Sequence, residues 1–504
     1  MRISLDIIPG VNNDDTSFAL GSAGYREVDK VRPWRGMMQT IGGWEKYASD
    51  SASGVPRNLF PWTDNSSIIN LAVGTHSHLN LIYDNTVYDI TPSGLAIGAI
   101  DGTGGAGYGA GTYSTGGYSE PSTGEYFPRT WSFGAYGESL MANPRGGTIY
   151  WWQNDTGTLA AALTNAPAEV TYMLVTTTRQ VMAFGCNEEV SGDFNNLCIR
   201  FSDIEDPTDW TTSSANNAGE IILEGGGRIV AARLVGDAVF VWTDAAIYQG
   251  RFTGQTAQPW VFDKVGENCG LIGPNAATVV SQTAYWMGPD MQFRFCPLSG
   301  VPDIIVSPVQ ATVSENMALS QSDKIVAANI AQYNEIWFFY PDSRDGYENS
   351  RYVSASLVDG KWSQGMLART AFDDGSPYQF PLGASYSGVV YIHERGNNAD
   401  GDPLNWYVIT GDQYIGEGQK FMQIKGFWPD FKDQQGAVSF ECYTRKYPQA
   451  TVRTKGPYIV SPGQSKRDFL AEGRVISVRI SGNSSPSYCR FGKLAFEVEG
   501  TGSQ

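Results

Sequence analysis

Between residues 58 and 395 one local pattern returns seven times: a β-rich run, a short Gly/Asp/Asn turn and a second run that ends in an aromatic residue. The instances span 68–90, 139–152, 181–202, 229–248, 277–296, 325–357 and 383–393. Aligned on their central aromatics they recur about every 45–55 residues, apart from one wider gap that holds a glycine-rich insert. A meander of three or four short strands cannot bury its two faces alone, so a repeat of this length has to stack against copies of itself. Its period is that of β-propeller blades, which need a ring of neighbours. Six or seven blades fit the stretch. Stacked β-sandwiches are the alternative, and they show turns about every 8–12 residues without a longer period.

Composition points the same way. The 504 residues include 58 Gly, 25 Pro, 26 Tyr, 23 Phe and 14 Trp, a balance that favours strands and turns over helices. Several turns carry ordinary hairpin chemistry: Tyr83-Asp84-Asn85-Thr86 and Leu234-Val235-Gly236-Asp237 place Asn, Asp or Gly where positive φ is needed. From about residue 421 longer alternating strands take over, near 421–427, 437–443, 474–480 and 492–498, separated by proline turns. The expected fold is all-β, with a β-propeller-like core of six or seven blades and a C-terminal antiparallel β-sandwich or sheet region. The expected divisions are an N-terminal segment packed on the core, 1–57; the propeller-like domain, 58–420, with its insert at 101–128; and a C-terminal β domain, 421–504.

The formal charge of −17 is unevenly placed. Residues 1–60 carry seven basic and seven acidic side chains, residues 61–420 carry 16 and 38, and residues 421–504 carry 12 and seven. The middle is therefore −22 and the C-terminal stretch +5. An acidic middle argues against DNA binding by phosphate neutralisation, which takes clustered Lys and Arg. It is compatible with DNA in transit, because an acidic wall repels phosphates and keeps a passing duplex from sticking. The N-terminal Met1-Arg2-Ile3-Ser4-Leu5-Asp6 lacks the apolar core of a signal peptide, and no stretch approaches about 18 uncharged apolar residues. The expectation is a protein made in the cytoplasm with no membrane-spanning helix. Cys186, Cys198, Cys269, Cys296, Cys442 and Cys489 have no paired metal-type spacing and read as reduced and mostly buried.

The insert differs in kind from the blades: Gly-rich from 102 to 118, with Tyr108, Tyr113 and Tyr118 five residues apart. It is too polar to make its own core. One reading is an exposed interblade loop; the sharper one is a mobile loop that reaches into a channel or onto a neighbouring subunit, its tyrosines supplying contact surface at low entropic cost. Other chemistry is sparse. His76 and His78 fall on one face if their segment is a strand, a possible metal pair, but no nearby Cys or carboxylate completes it, and an exposed strand is the favoured reading. The glycine runs at 104–107 and 225–227 lack the context of a phosphate loop. The pairs Asp14-Asp15 and Asp373-Asp374 would have to converge to serve as glycosidase carboxylates, and neighbours on a strand point to opposite faces, so both read as surface turns. The run from Arg200 to Trp210 superficially resembles the Asp-box of sialidase propellers, yet lacks the glycine that motif places before Thr-Trp, and Pro207 suits a turn between blades. No catalytic, cofactor-binding or metal-ligating residue emerges, and no cofactor is expected.

Ahead of the repeats stands a compact basic, aromatic and glycine-containing block, Asp29-Lys30-Val31-Arg32-Pro33-Trp34-Arg35-Gly36, followed by Ile41-Gly42-Gly43-Trp44-Glu45-Lys46. A second block runs from Trp131-Ser132-Phe133-Gly134 through Asn143-Pro144-Arg145-Gly146-Gly147 to Tyr150-Trp151-Trp152. With the segments at 241–248, 269–276, 284–288, 455–458 and 472–479, in that order, they make the chain resemble the tail nozzle proteins of short-tailed bacteriophages, also called tail hub or packaged-DNA-stabilisation proteins. The order of the pieces is the specific signal, and the Arg200 to Trp210 run fits the same pattern. The resemblance implies a structural virion protein rather than an enzyme. Such proteins form a homo-oligomeric ring, usually a hexamer, in the virion tail below the portal and adaptor. Their central tube passes double-stranded DNA without specific binding, closes before ejection and offers docking surfaces to fibres or spikes. In that setting Tyr108, Tyr113 and Tyr118 are candidate gate or intersubunit residues, and Trp34, Arg35 and Trp44 candidate assembly anchors. The alternative is a carbohydrate-binding or glycoside-cleaving propeller, similar to a tailspike depolymerase, motivated by the aromatic content and the surplus of carboxylates.

Overall fold

The computed structural model describes residues 2–102, 127–256, 258–415, 418 and 420–502. Six four-stranded antiparallel sheets follow one another along the chain, each built from consecutive strands: 56–89, 131–162, 170–222, 229–267, 277–304 and 326–366. A seventh uses Ala371–Asp373, Leu382–Ala384 and Val390–His393. The first strands of the seven sheets are Pro56–Thr63, Trp131–Tyr136, Val170–Val175, Ile229–Val235, Ala277–Val280, Val326–Ile330 and Ala371–Asp373, and each packs against the next. The last of them touches the first, so the ring closes. The fold is all-β, a propeller of seven blades.

Local sequence explains the blades. Second strands such as Ala238–Thr243 and Glu335–Pro341 are buried along their whole length, because both faces of a blade are covered by its neighbours, and all but one end residue of each is apolar. Their hairpins are closed by residues that accept positive φ: Asp84 and Asn85 take 46° and 62° at one tip, the pair of values a two-residue type I′ turn requires.

The seventh blade is completed from far away. Its fourth strand is Trp44–Lys46, antiparallel to Val390–His393 with Trp44 opposite His393. On the other edge of that closing strand lies Asn398–Ala399. The start of the chain therefore fastens the ring where the propeller sequence ends.

The remaining strands form a second unit of three sheets. One orders as Arg2–Leu5, Leu494–Gly502, Phe421–Trp428 and Arg467–Gly473; another as Tyr25–Asp29, Trp406–Thr410, Val475–Gly482, Val438–Arg445 and Arg453–Val460, with Gln413–Tyr414 beside Val475–Gly482. The third joins Val31–Trp34, Met37–Thr40, Tyr488–Phe491 and Phe431–Gln435. Position 420 falls between Gln413–Tyr414 and Phe421–Trp428, and strands from 2–40 and 406–414 pair in the same sheets as those from 421–502. Phe427 stacks on Phe440 at 4.5 Å and lies 5.4 Å from Phe496, the centre of an aromatic core. This unit sits on the sixth blade: Trp362–Met366, the outermost strand there, packs against Tyr25–Asp29 and Val31–Trp34. The backbone N–H of Met366 donates to Asp29 Oδ1 at 2.7 Å, and the Ser363 hydroxyl donates to the Val31 carbonyl. Among the described residues no helix is long and apolar enough to cross a membrane. All six cysteines are buried and unbridged.

Candidate functional site

The first block folds as a hairpin whose tip, Arg35 and Gly36, has φ of 50° and 76°. Arg35 is exposed at that tip, and its guanidinium lies 5.3 Å from the Trp34 ring. Trp34 meets Tyr333 edge-on at 5.1 Å. Trp44, on the closing strand, is 5.5 Å from His393 and 5.1 Å from the Arg369 guanidinium. Arg369 Nε donates to His393 Nε2 at 2.8 Å, so the imidazole is neutral with its proton on the other nitrogen; burial and the arginine's charge hold its pKa well below the usual value.

Between these aromatics the block places Arg32, fully buried. Its guanidinium forks onto both Glu394 oxygens, one at 3.1 Å, lies 3.5 Å from Glu335 and stacks 3.8 Å above Tyr333. Glu394 also accepts from the Gly42 N–H at 2.9 Å. Burial pushes Glu335 up to about 7, and the Arg32 charge only partly offsets it. One arginine thus ties the start of the chain to the sixth blade and to the end of the seventh. Sequence reading singled out its neighbours Trp34, Arg35 and Trp44; nothing in the spacing of Glu335 and Glu394 marks them as its partners.

The N-terminal ends of the first strands all lie on one face of the ring, and that face gathers Arg57, Arg129, Arg228 and Lys324, with Arg145 from a turn of the second blade. Glu348 accepts from Arg57 at 2.6 Å and from Lys324 at 2.8 Å, Asp101 accepts from Lys324 at 2.6 Å, and Asp323 pairs with Arg145 at 2.8 Å. Lys324 is fully buried, so it requires these acceptors. The chain leading into the glycine-rich insert is held here: Gly102 exchanges two hydrogen bonds with the Gln321 side chain, 3.0 and 2.8 Å. The chain leaving it is held on the same face by Phe127, whose ring lies 3.9 Å from the Arg145 guanidinium and 4.5 Å from that of Arg228. Tyr108, Tyr113 and Tyr118 lie outside the described residues.

Along the axis a cavity of roughly 240 Å³ is lined by Asn58, Arg233, Asn275, Asn329, Asp373 and Asp374. Asp373 ends its strand and Asp374 follows it, so strand alternation does not separate them and both face the cavity. Burial, followed by the Asp374 charge, pushes Asp373 up to about 8. Arg233 donates to the Tyr172 hydroxyl and, at 3.0 Å, to the Pro274 carbonyl. Two carboxyl groups, one of them pushed up by burial, and a guanidinium in one polar cavity can bind a small polar molecule. The pair reads in sequence as a surface turn; it is an Asx turn, with the Gly375 N–H on Asp373 at 2.8 Å, but it faces the axial cavity.

His76 and His78 stand in a bend after the strand Ile69–Thr75 rather than on a strand. His76 Nδ1 accepts from the Val55 N–H at 2.9 Å and His78 Nδ1 meets Ser77 Oγ at 2.8 Å. Among the described residues no group of three or more His, Cys, Asp and Glu could hold a metal ion. Pro207 lies within the third blade, between Phe194–Phe201 and Gly219–Ile222, and not between blades; Arg200 there donates to the Trp210 carbonyl at 3.0 Å.

No protein-family model matches the chain, and no curated protein does. Solved structures similar to it include the computationally designed Ika8 protein, 13% identical with a TM-score of 0.37, over 70% of this chain and 100% of that one. Another is a catalytically inactive variant of virginiamycin B lyase from Staphylococcus aureus with quinupristin, 8% identical with a TM-score of 0.39, over 69% and 97%.

Proposed function

We propose that the chain is a structural virion protein, the tail nozzle of a short-tailed phage. In this reading it forms a homo-oligomeric ring below portal and adaptor, conducts and retains double-stranded DNA, and gives fibres or spikes a place to dock. One observation carries the reading beyond the ordered resemblance of its segments: both roots of the glycine-rich insert are fixed to the propeller face that gathers the ends of the first strands. The insert, which bears three tyrosines, is thus rooted on one face of the propeller, from which a closure or a subunit contact can be made. The acidic balance of residues 61–420 suits a wall that DNA passes without adhering.

Immunogold labelling of the virions tests it. Label confined to the tail tip supports the nozzle; particles that carry no label, or carry it only on the capsid, overturn it.

A second reading, a carbohydrate-binding or glycoside-cleaving propeller, is favoured by the axial Asp373, Asp374 and Arg233. It requires that glycan binding or cleavage by the purified protein be lost in Asp374→Asn.

A further inference from the structure

The second unit presents a strand edge that pairs with no further strand among the described residues. Its largest sheet begins with Tyr25–Asp29, against the sixth blade, and ends with Arg453–Val460, beyond which no strand pairs among the described residues. That last strand lies four places from Tyr25–Asp29, about 19 Å at ordinary strand spacing, at the far tip of that sheet. Of its eight residues only Val460 is buried. Residues 442–467 carry six basic side chains and no acidic one. Arg445 is committed to Asp412 and Lys466 to Asp468 and Glu497, while Lys446, Arg453 and Lys455 are exposed beside Val452 and Ile459, themselves 40% and 49% exposed. A long strand edge carrying apolar residues is a template for pairing with another chain.

A surface of opposite character lies across the ring. Residues 165–225, which build the third blade, hold ten acidic and two basic side chains. At its outer rim Glu189 and Asp193 flank Val190, 97% exposed, at a hairpin tip; Glu224 follows Ile222, 48% exposed, at the end of the outermost strand. The Glu189 N–H donates to Glu220 at 2.6 Å, which holds tip and strand together. In a ring of seven, the third and sixth blades stand three places apart, as nearly opposite as such a ring allows.

We propose that the strand Arg453–Val460 of one copy docks on the acidic outer rim of the third blade of the next copy. The proposal rests on the homo-oligomeric reading above and names its surface. The two patches differ and each copy carries both, so the contact runs head to tail and closes when the rotation per copy divides a full turn. Opposite charges orient the encounter, and the four exposed aliphatic side chains supply apolar area at its centre.

Sedimentation velocity of the full chain tests this with two charge-reversed proteins, each checked for folding by circular dichroism. One carries Lys446→Glu, Arg453→Glu and Lys455→Glu, the other Asp193→Lys and Glu224→Lys. Wild type is expected as a defined oligomer that dissociates as salt is raised. Each reversed protein alone is expected as a monomer, and an equimolar mixture regains the oligomer, because the acidic tip of one fits the basic rim of the other. Reversed proteins that assemble like wild type, a mixture that stays monomeric, or a wild type monomeric at every concentration overturn the proposal. A nozzle that assembles through other surfaces gives the first of these outcomes and still labels virion tails, so the two readings fail separately.

Discussion

The propeller and the unit on its sixth blade are both antiparallel sheet, yet they are built in opposite ways. Every strand of the first six blades pairs with one adjacent in the chain. The second unit pairs Arg2–Leu5 with Leu494–Gly502 and Tyr25–Asp29 with Trp406–Thr410, almost a chain length apart. The seventh blade stands between, with three local strands and one from residues 44–46. Local hairpins close small loops, whereas the long-range pairs form only after a large stretch of chain is ordered, so their contacts must be strong. The buried Arg32, Glu335 and Glu394 stand at that seam.

The largest effect is therefore expected there. Arg32→Ala strands two buried carboxylates without their cation and should cost about 3–5 kcal/mol in urea unfolding. A loss under about 1 kcal/mol would show that the seam does not bear on stability.

The same contrast explains what the sequence reveals. The seven meanders stand out because turn residues and apolar runs repeat within each blade, and the expected instances at 229–248 and 277–296 lie within the observed blades at 229–267 and 277–304. The Trp44 block is visible as ordered, but not as the fourth strand of the seventh blade, because its partner lies near residue 392 and pairing across that distance leaves no local pattern. For the same reason Arg57 and Lys324 carry no mark of meeting on Glu348. Asp373 and Asp374 are visible as a pair; that they face the axis depends on the strand ending between them.

A second prediction bears on the axis. Burial, followed by the Asp374 charge, pushes Asp373 up to about 8 in the folded protein, against an ordinary 3.8. Between these values the folded state keeps a proton that the unfolded chain has released, so this carboxyl subtracts stability progressively as pH rises through the window. Asp373→Asn, which stays neutral, should gain on wild type across that range and level off above it, read from chemical denaturation at several pH values. A difference independent of pH contradicts a titrating carboxyl at the axis.

The smallest effect belongs to a blade edge. Arg251 and Asp263 pair on neighbouring strands of the fourth blade, more than half and half exposed respectively. Arg251→Ala should change stability by less than about 1 kcal/mol. A cost comparable to that of Arg32→Ala would erase the distinction between local blade and long-range seam.

In the proposed assembly, copies join head to tail in a ring around a channel. Negative-stain class averages of the purified protein, at concentrations where sedimentation gives an oligomer, test it most directly. The expected image is a closed ring with a central opening and one arm per subunit reaching the next propeller. Single discs with a side arm at every concentration, with and without the adaptor, would contradict it.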